Sequence, residues 1–174
     1  MKHKSTLFLK ELNKNMVTKE YVSWLNDHES MRYTEQRFLK HNLMTVKKYV
    51  SNVKKSKHEF LFGIFINHLK KKIHVGNIKL GPINRFHKNA YISFFIGNKD
   101  FLNMGFGTNA IKQVLTIAKK RHKLNKIYAG AYSTNKQSIK ILKKNNFSLE
   151  GNFKKGVKFE KKFISHLIFG KILK

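Results

Sequence analysis

Two glycines, Gly105 and Gly107, lie one residue apart in the segment NMGFGTNAI, which covers residues 103–111. An apolar run precedes this segment and a run with helical periodicity follows it, so the glycines fall where a predicted strand turns into a predicted helix. Glycine lets backbone N–H groups approach a phosphate, and a helix N-terminus adds partial positive charge. The pattern therefore favours an anion site, and an ordinary tight turn is the alternative.

The same glycines formally match the dinucleotide-binding fingerprint G-x-G-x-x-G/A. That fingerprint also needs an acidic residue about 20 positions further on, which binds a ribose hydroxyl. The corresponding region here, IYAGAYSTN, has no acid, and the next one along the chain is Glu150. A P-loop is excluded because no Gly-Lys-Ser/Thr follows the glycines. We therefore expect neither NAD nor a P-loop nucleotide at this site.

The composition bounds the class of protein. A chain of 174 residues with 41% hydrophobic residues and 15 Phe predicts one folded domain over residues 1–174. Cysteine is absent, which excludes a thiol nucleophile and thiolate metal ligands, and no metal site is expected. No apolar run reaches the length of a membrane span and the N-terminus lacks a signal-peptide pattern, so the expected compartment is the cytoplasm.

The chain is strongly basic, with 37 Lys and Arg against 9 Asp and Glu and a formal net charge of +28. Such a charge favours an anionic partner such as nucleic acid, anionic lipid or a phosphorylated small molecule. All but four of the basic residues are lysine, an excess that AT-rich coding DNA would also produce. Because RNP-type aromatic motifs and Arg-rich runs are missing, a nucleic-acid partner is not expected.

The hydropathy pattern predicts eleven elements in the order β-α-α-β-β-β-α-β-α-β-β. The predicted strands cover residues 5–12, 59–67, 72–80, 90–97, 126–133, 147–154 and 161–171, and the predicted helices cover 19–29, 45–56, 108–123 and 135–145. The strands at 90–97 and 126–133 flank one helix and must be parallel. The prediction is an α/β (α+β) fold with a mixed, mostly antiparallel sheet of about seven strands and about four helices.

Residues 102–107, LNMGFG, resemble the loop R/Q-x-x-G-x-G/A of the GNAT superfamily of N-acetyltransferases, which lies between a strand and a helix. Leu102 departs from the usual Arg or Gln. Residues 135–151, NKQSIKILKKNNFSLEG, resemble a second GNAT signature, N-x-x-S/A…K-x-G-F-x-x-EG, with Asn146 in place of its glycine. The predicted element order is also that of the family, so the resemblance covers nearly the whole chain.

The resemblance implies acetyl-CoA as co-substrate and direct acetyl transfer to an amine in a ternary complex. It also implies that the two parallel strands splay apart, so that the pantetheine arm bonds backbone groups of the first strand. The implied cofactor-binding residues are Phe95, Ile96, Gly97, Leu102, Asn103, Met104, Gly105, Phe106, Gly107, Thr108, Asn135 and Lys143.

Acetyl transfer to an amine needs a base for the amine and an acid for the leaving thiolate. Many GNAT enzymes carry a Tyr where this chain has Leu142, so the usual acid is missing. Tyr132, at the end of the second parallel strand, is the candidate acid, and water is the alternative. The candidate bases are His87, which could also be an ordinary surface-turn histidine, and Glu35.

Residues 24–38, WLNDHESMRYTEQRF, resemble the substrate-side segment of acetyltransferases from polysaccharide and sugar-nucleotide pathways. The candidate substrate-binding residues are Arg32, Tyr33, Glu35, Arg37 and Tyr91. The two arginines could hold a diphosphate bidentately, or they could form salt bridges with Glu29 and Glu35 on a solvated face.

The resemblance is closest to the ribosomal-protein and amino-sugar branch, which includes the pseudaminic-acid pathway enzymes. The polyamine acetyltransferases carry Glu where this chain has Tyr91, so the expected acceptor is an anionic small-molecule amine, in particular a nucleotide-linked amino sugar. Polyamine and protein N-terminal acceptors stay open, and the chain could form a homodimer. The expectation depends on whether Glu29, Glu35, Glu59 and Glu150 lie away from the pocket, because converging acids would favour a polycation.

Overall fold

The computed structural model describes residues 6–69 and 71–173. Its strands are β1 (Thr6–Glu11), β2 (Phe60–His68), β3 (Lys71–Asn84), β4 (Asn89–Ile96), β5 (Lys126–Tyr132), β6 (Ser148–Phe159) and β7 (Lys162–Ile172). Its α-helices are α1 (Lys19–Asn26), α2 (His28–Met31), α3 (Leu43–Lys55), α4 (Phe106–Lys120) and α5 (Lys136–Lys144). Short 3-10 turns lie at Lys14–Met16, Glu35–Phe38 and Lys99–Phe101.

The seven strands form one sheet in the order β1-β2-β3-β4-β5-β7-β6. The β4–β5 pair is parallel, and the five other neighbouring pairs are antiparallel. The predicted fold class and parallel pair are therefore confirmed. The helix predicted over residues 19–29 is divided in two, because Asp27 is extended and its side chain accepts a hydrogen bond from the Ser30 N–H, which caps α2.

Helices cover both faces of the sheet. Alternate residues of each strand point to opposite faces, so one strand contributes side chains to both layers. On one face, Ile64 and Ile66 of β2 belong to the cluster that includes Ile111 and Val114 of α4. On the other face, β2 contributes Leu61 and Phe65 to a cluster with α1 and α3. Full burial of one large apolar side chain stabilises the fold by about 1.5–3 kcal/mol. The two buried layers therefore hold the parallel β4–β5 pair in place in the middle of the molecule.

The β6–β7 ribbon is longer than the sequence predicted. β6 runs to Phe159 and includes the basic segment KKGVKF, residues 154–159, whereas the sequence predicts a strand that ends at residue 154. Lysine is depleted in strands, but the exposed face of this ribbon accepts it.

None of the helices in the described residues has both the length and the apolar character of a membrane span.

Candidate active site

The parallel strands separate halfway along their length. β4 and β5 pair only as far as Ile92 and Ala129. Beyond that point β4 continues to Ile96 against β3, and β5 continues to Tyr132 against β7. Within the part of the chain that the structure describes, the inner edges of both strands therefore have no strand partner over their last residues. This is the splayed geometry expected from the family resemblance.

The end of β4 offers backbone groups to this gap. The Gly97 N–H donates to the Val75 carbonyl at 2.9 Å, on the β3 side. Successive residues of a strand direct their N–H groups to opposite sides, so the Ile96 N–H faces the gap. Gly97 itself lies against α1, because a Cβ at this position would collide with the Trp24 ring. Of the residues predicted to bond pantetheine, Ile96 has its backbone on the gap side and Gly97 does not.

A cavity of about 1620 Å³ opens at the gap. One part is lined by the ends of β4 and β5, by Leu102 and by the first turns of α5. The other part is lined by residues 29–36 and 39–41, by α3 and by side chains of β3 and β7. We name these parts the cofactor half and the acceptor half.

The loop that leads into α4 fits a phosphate group. Gly105 has a φ of 81° in the left-handed region, and an ideal Cβ on it would meet no atom within 4 Å. The loop is tied to α5 by the Asn103 side chain, which accepts a 2.8 Å hydrogen bond from Gln137. An open glycine at the N-terminus of a 15-residue helix provides free N–H groups and positive potential for an anion. These features suit the pyrophosphate of acetyl-CoA.

The second glycine of the motif has a packing reason. Gly107 is buried, and a Cβ on it would lie 3.3 Å from Ile141 and 3.5 Å from the Phe94 ring. Because Gly107 has no side chain, α4 can approach α5 and β4 closely. The predicted contact between Gly107 and a phosphate would have to be made by its backbone. Phe106 is buried beside it, whereas Met104 is 60% exposed.

The remaining predicted cofactor residues divide between two settings. Asn135 lines the cavity and also caps α5, because its side chain accepts from the Ser138 N–H at 3.0 Å. Phe95 lines the cavity as well, and Thr108 is partly exposed in the first turn of α4. Lys143 is exposed in the last turn of α5, outside the cavity lining.

Where the two halves meet, a side-chain network joins three of the predicted residues. The Tyr132 hydroxyl donates a short hydrogen bond to Glu35, and Arg37 donates to the same hydroxyl at 2.9 Å. Arg37 also donates to the backbone carbonyls of Thr34, at 3.0 Å, and Lys158, at 3.1 Å. The structure thus places the carboxylate and the phenol side by side, although they lie 97 residues apart in the sequence.

Local structure aims both members of this pair. Glu35 begins a 3-10 turn that is capped by Thr34, whose side chain accepts from the Gln36 N–H at 3.2 Å. Tyr132 is the last residue of β5 and is 5% exposed. Burial, with Glu35 next in importance, raises the pKa of Tyr132 although Arg37 opposes the effect. The phenol therefore keeps its proton at neutral pH and acts as a hydrogen-bond donor.

Arg32 follows the salt-bridge alternative of the sequence analysis. It lies 3.1 Å from Glu29 and 3.2 Å from Glu160, and its guanidinium packs 5.1 Å from the ring centroid of Tyr33 and 5.4 Å from that of Phe159. Tyr33 in turn stacks on Phe159 at 5.1 Å. The β6–β7 ribbon thereby forms part of the acceptor half.

Two of the predicted catalytic and substrate-binding residues, His87 and Tyr91, neither line the cavity nor join the Tyr132 network. His87 is exposed on the β3–β4 turn, where its N–H donates to the Asn84 side chain, at the end of β4 away from the gap. Tyr91 lies on the paired part of β4 and packs on Tyr128, with ring centroids 5.3 Å apart. Leu142, at the usual tyrosine position, is fully buried in the apolar core.

His166 is a cavity residue that the sequence analysis missed. It lies on β7 directly opposite Tyr132, with ring centroids 5.9 Å apart. Its ring occupies the space above Gly130, where a Cβ would stand 2.5 Å from His166 Nε2. A glycine inside an apolar strand indicates that another group approaches the strand closely. Gly130 was therefore the one signal in the sequence that could have pointed to a side chain packed on β5.

Comparison with known proteins extends these observations. Residues 7–148 match the family model described as the acetyltransferase (GNAT) domain. The spermidine N-acetyltransferase from Vibrio cholerae, solved with CoA and spermine, is similar at a TM-score of 0.83 and 17% identity, over 96% of this chain and 95% of that one. The acetyltransferase from Salmonella typhimurium that modifies the N-terminal serine of ribosomal protein L7/L12 is similar at 0.81 and 17%, over 97% and 96%.

A GNAT-family acetyltransferase from Bacillus anthracis is similar at a TM-score of 0.79 and 18% identity, over 95% of this chain and 94% of that one. Identities this low show the shared fold, whereas the family model covers most of the chain. Together with the splayed strands and the glycine loop, that match establishes that the chain belongs to the GNAT acetyltransferase family and is an acetyl-CoA-dependent N-acetyltransferase.

Proposed function

We propose that the chain transfers an acetyl group directly to a small primary amine, and that Glu35 accepts the proton of that amine. The single observation that carries the proposal is the contact between Glu35 and Tyr132 at the end of β5, beside the gap. A protonated amine cannot attack a thioester, so a carboxylate at this position would both attract the ammonium and deprotonate it. Acetyl-CoA supplies the activated acetyl thioester.

The proton must finally reach the departing sulfur. Tyr132 is the donor next to Glu35, and its raised pKa keeps it protonated. In the proposed path, Glu35 takes a proton from nitrogen, Tyr132 gives its own proton toward sulfur, and Glu35 then restores Tyr132. Arg37 is already bonded to four oxygen atoms, so its proposed role is to hold Tyr132 rather than to bind a diphosphate.

The proposed acceptor is the amino group of a nucleotide-linked amino sugar. Four lysines line the cavity, at positions 40, 79, 99 and 136. Lys79 and Lys99 form ion pairs with Glu59 and Asp27, so the attraction for an anion comes mainly from the other two lysines and from the net charge of +28. Among the four acids singled out earlier, Glu59 and Glu150 are engaged by Lys79 and Lys126, each at 2.8 Å. An anionic substrate would therefore enter a cationic field.

A second acceptor class is a polyamine or a peptide N-terminus. Glu29 and Glu35 both line the cavity, which is the convergence of acids that favours a cationic substrate. Arg32 opposes this effect because it pairs with Glu29. The similar folds from Vibrio cholerae and Salmonella typhimurium carry names that refer to spermidine and to a ribosomal-protein N-terminus, respectively, which keeps both acceptors in the comparison.

The test is CoA release from acetyl-CoA with a UDP-linked amino sugar, spermidine and a peptide with a free N-terminal serine. We expect the highest kcat/KM for the sugar nucleotide, with a value that falls as salt rises because screening weakens steering. Spermidine as the best substrate, with a rate that rises with salt, would overturn the sugar assignment alone. An enzyme that binds acetyl-CoA but acetylates no amine would contradict the proposed function as a whole.

A further inference from the structure

Unpartnered polar atoms concentrate at the cavity. Among residues 6–69 and 71–173, five buried side-chain nitrogen or oxygen atoms have no hydrogen-bond partner, and they belong to Arg32, His41, Asn77, His122 and Asn145. The first three of these residues line the cavity and the last two do not. Buried polar atoms are nearly always paired, so their accumulation around one cavity indicates that a polar ligand belongs there.

The unpartnered atom of Asn77 is a hydrogen-bond donor. His74 Nε2 lies 2.9 Å from the Gly76 carbonyl and 2.9 Å from Asn77 Oδ1. A carbonyl can only accept, so His74 Nε2 must carry a proton and Asn77 must present its oxygen to it. The amide nitrogen Nδ2 therefore points away from His74, which is not a lining residue, and stays unpaired.

His74 itself is fixed, which in turn fixes this amide. Its ring stacks on Phe65 at 4.7 Å and meets the rings of Tyr21 and Trp24 edge-on at 5.7 Å and 5.1 Å. Asn77 is 2% exposed and lies opposite Phe95 of β4. The donor is thus held on the sheet next to the strand that borders the gap.

The second unpartnered donor is the Nε–H group of Arg32. A guanidinium has no acceptor atom, so this N–H can only be satisfied by an oxygen or another acceptor. The other nitrogens of Arg32 bond Glu29 and Glu160, which holds the group in place. We name Arg32 Nε and Asn77 Nδ2 the donor pair.

We propose that the donor pair binds hydrogen-bond-accepting oxygens of the acceptor substrate, so that the enzyme selects amines that carry hydroxyl or carbonyl groups, as an amino sugar does. This inference rests on the proposed function and narrows its acceptor class. The ammonium groups of a polyamine offer donors only and would leave both N–H groups unpaired, and a site with unpaired buried polar groups discriminates strongly.

The experiment compares glucosamine, cyclohexylamine and spermidine by CoA release with the wild type and with Asn77→Leu. Glucosamine and cyclohexylamine are both cyclic amines, but only glucosamine carries oxygen atoms. The two amines differ in intrinsic reactivity, and this difference cancels when the ratio of their kcat/KM values is compared between the wild type and the variant. We expect Asn77→Leu to lower the glucosamine-to-cyclohexylamine ratio at least tenfold, through KM rather than kcat. The affinity for acetyl-CoA should not change.

Two further variants separate recognition from folding. Asn145→Leu makes the same change at a buried asparagine outside the cavity, and it should leave the ratio unaltered. Asn77→Asp keeps an oxygen toward His74 but replaces the donor by a second oxygen, so it should shift preference toward spermidine. Asn77→Leu removes the unpaired Nδ2, and His74 Nε2 keeps the Gly76 carbonyl as its acceptor, so the Tm should change little.

An unchanged ratio in Asn77→Leu, or a wild type that prefers spermidine or cyclohexylamine, would overturn the inference and leave acetyl transfer intact. A lower Tm with equal loss on all three amines would also overturn it, since that pattern indicates a structural role. If no amine is acetylated although acetyl-CoA binds, the proposed function fails and the inference fails with it.

Discussion

The two halves of the cavity are built in different ways. The cofactor half, together with the Gly105 loop beside it, offers mainly backbone groups: the open edge of β4, the Gly105 turn and the N-terminus of α4. The acceptor half is built by side chains that reach distant segments: Glu35 contacts the Tyr132 hydroxyl, and Arg37 donates to the backbone carbonyl of Lys158. The first half can keep its function while most side chains change, whereas the second can be altered by single substitutions.

This difference explains how one fold can serve different amines. In the proposed arrangement, a backbone cradle made by the splayed strands and the glycine turn would bind the part of acetyl-CoA that every acetyl transfer shares. The shape and charge of the acceptor half depend on side chains from α2, β3, β5 and the β6–β7 ribbon. Substitutions should therefore separate the two halves in their kinetic effects.

The largest effect is expected for Glu35→Gln. Loss of a general base lowers kcat by about 10²–10⁴-fold, and acetyl-CoA affinity should stay unchanged. Tyr132→Phe should be almost as harmful, and the double variant should be no worse than the more impaired single variant, because the two residues act as one unit. Steady-state kinetics with the best amine of the panel measure all three enzymes.

Glu29→Gln is the matched control for this prediction. Glu29 also lines the cavity, but its side chain is 67% exposed and bonds Arg32 instead of Tyr132. We expect kcat to stay within about twofold of the wild type, because this side chain has no part in the proposed proton path, and loss of a general base is what costs about 10²–10⁴-fold. Equal losses from the Glu29 and Glu35 variants would mean that the cavity needs negative charge and not a base at one position.

The next effect concerns the cofactor half. Thr108→Glu places a carboxylate in the first turn of α4, where it favours the helix but competes with phosphate for the same N–H groups. The Kd for acetyl-CoA should rise about tenfold, which corresponds to about 1.4 kcal/mol, and kcat at saturation should change little. Calorimetry measures the affinity, with Thr108→Gln as the uncharged control, and an unaltered Kd would place the phosphates elsewhere.

The smallest effect concerns His74, which orients Asn77. Burial lowers the pKa of His74 below its ordinary value of 6.5. The unfolded chain therefore binds more protons below pH 6.5, and the free energy of unfolding should fall as the pH falls from that point, by up to about 1.4 kcal/mol per unit.

His74→Phe should weaken this pH dependence in denaturant titrations between pH 6.5 and 5. The same variant frees the Asn77 amide, so it should raise KM for the amine and leave acetyl-CoA affinity unchanged. His122, whose pKa is also lowered by burial, is the comparison, because it lies outside the cavity. If only His122→Phe changes the pH profile, the pH dependence of the free energy of unfolding arises from His122 and not from His74.

Local sequence patterns were enough to predict the strands, the parallel pair and the glycine loop. Alternating apolar residues mark the strands, and one β-α-β unit requires the parallel pair at β4 and β5. The spacing of Gly105 and Gly107 identified the loop before α4, since a left-handed turn and a close helix contact both depend on residues a few positions apart. Such patterns survive in a single sequence because their causes are local.

Only the tertiary structure decided which side chains meet. His87 carries suitable chemistry but lies on a turn at the wrong end of β4, while His166, with no local motif, faces the cavity because β7 pairs with β5. The Asn77 donor depends on His74 and on the packing of three aromatic rings around it. Strand pairing and packing join residues that are far apart in the chain, so the composition of the acceptor half follows from the fold and not from any one segment.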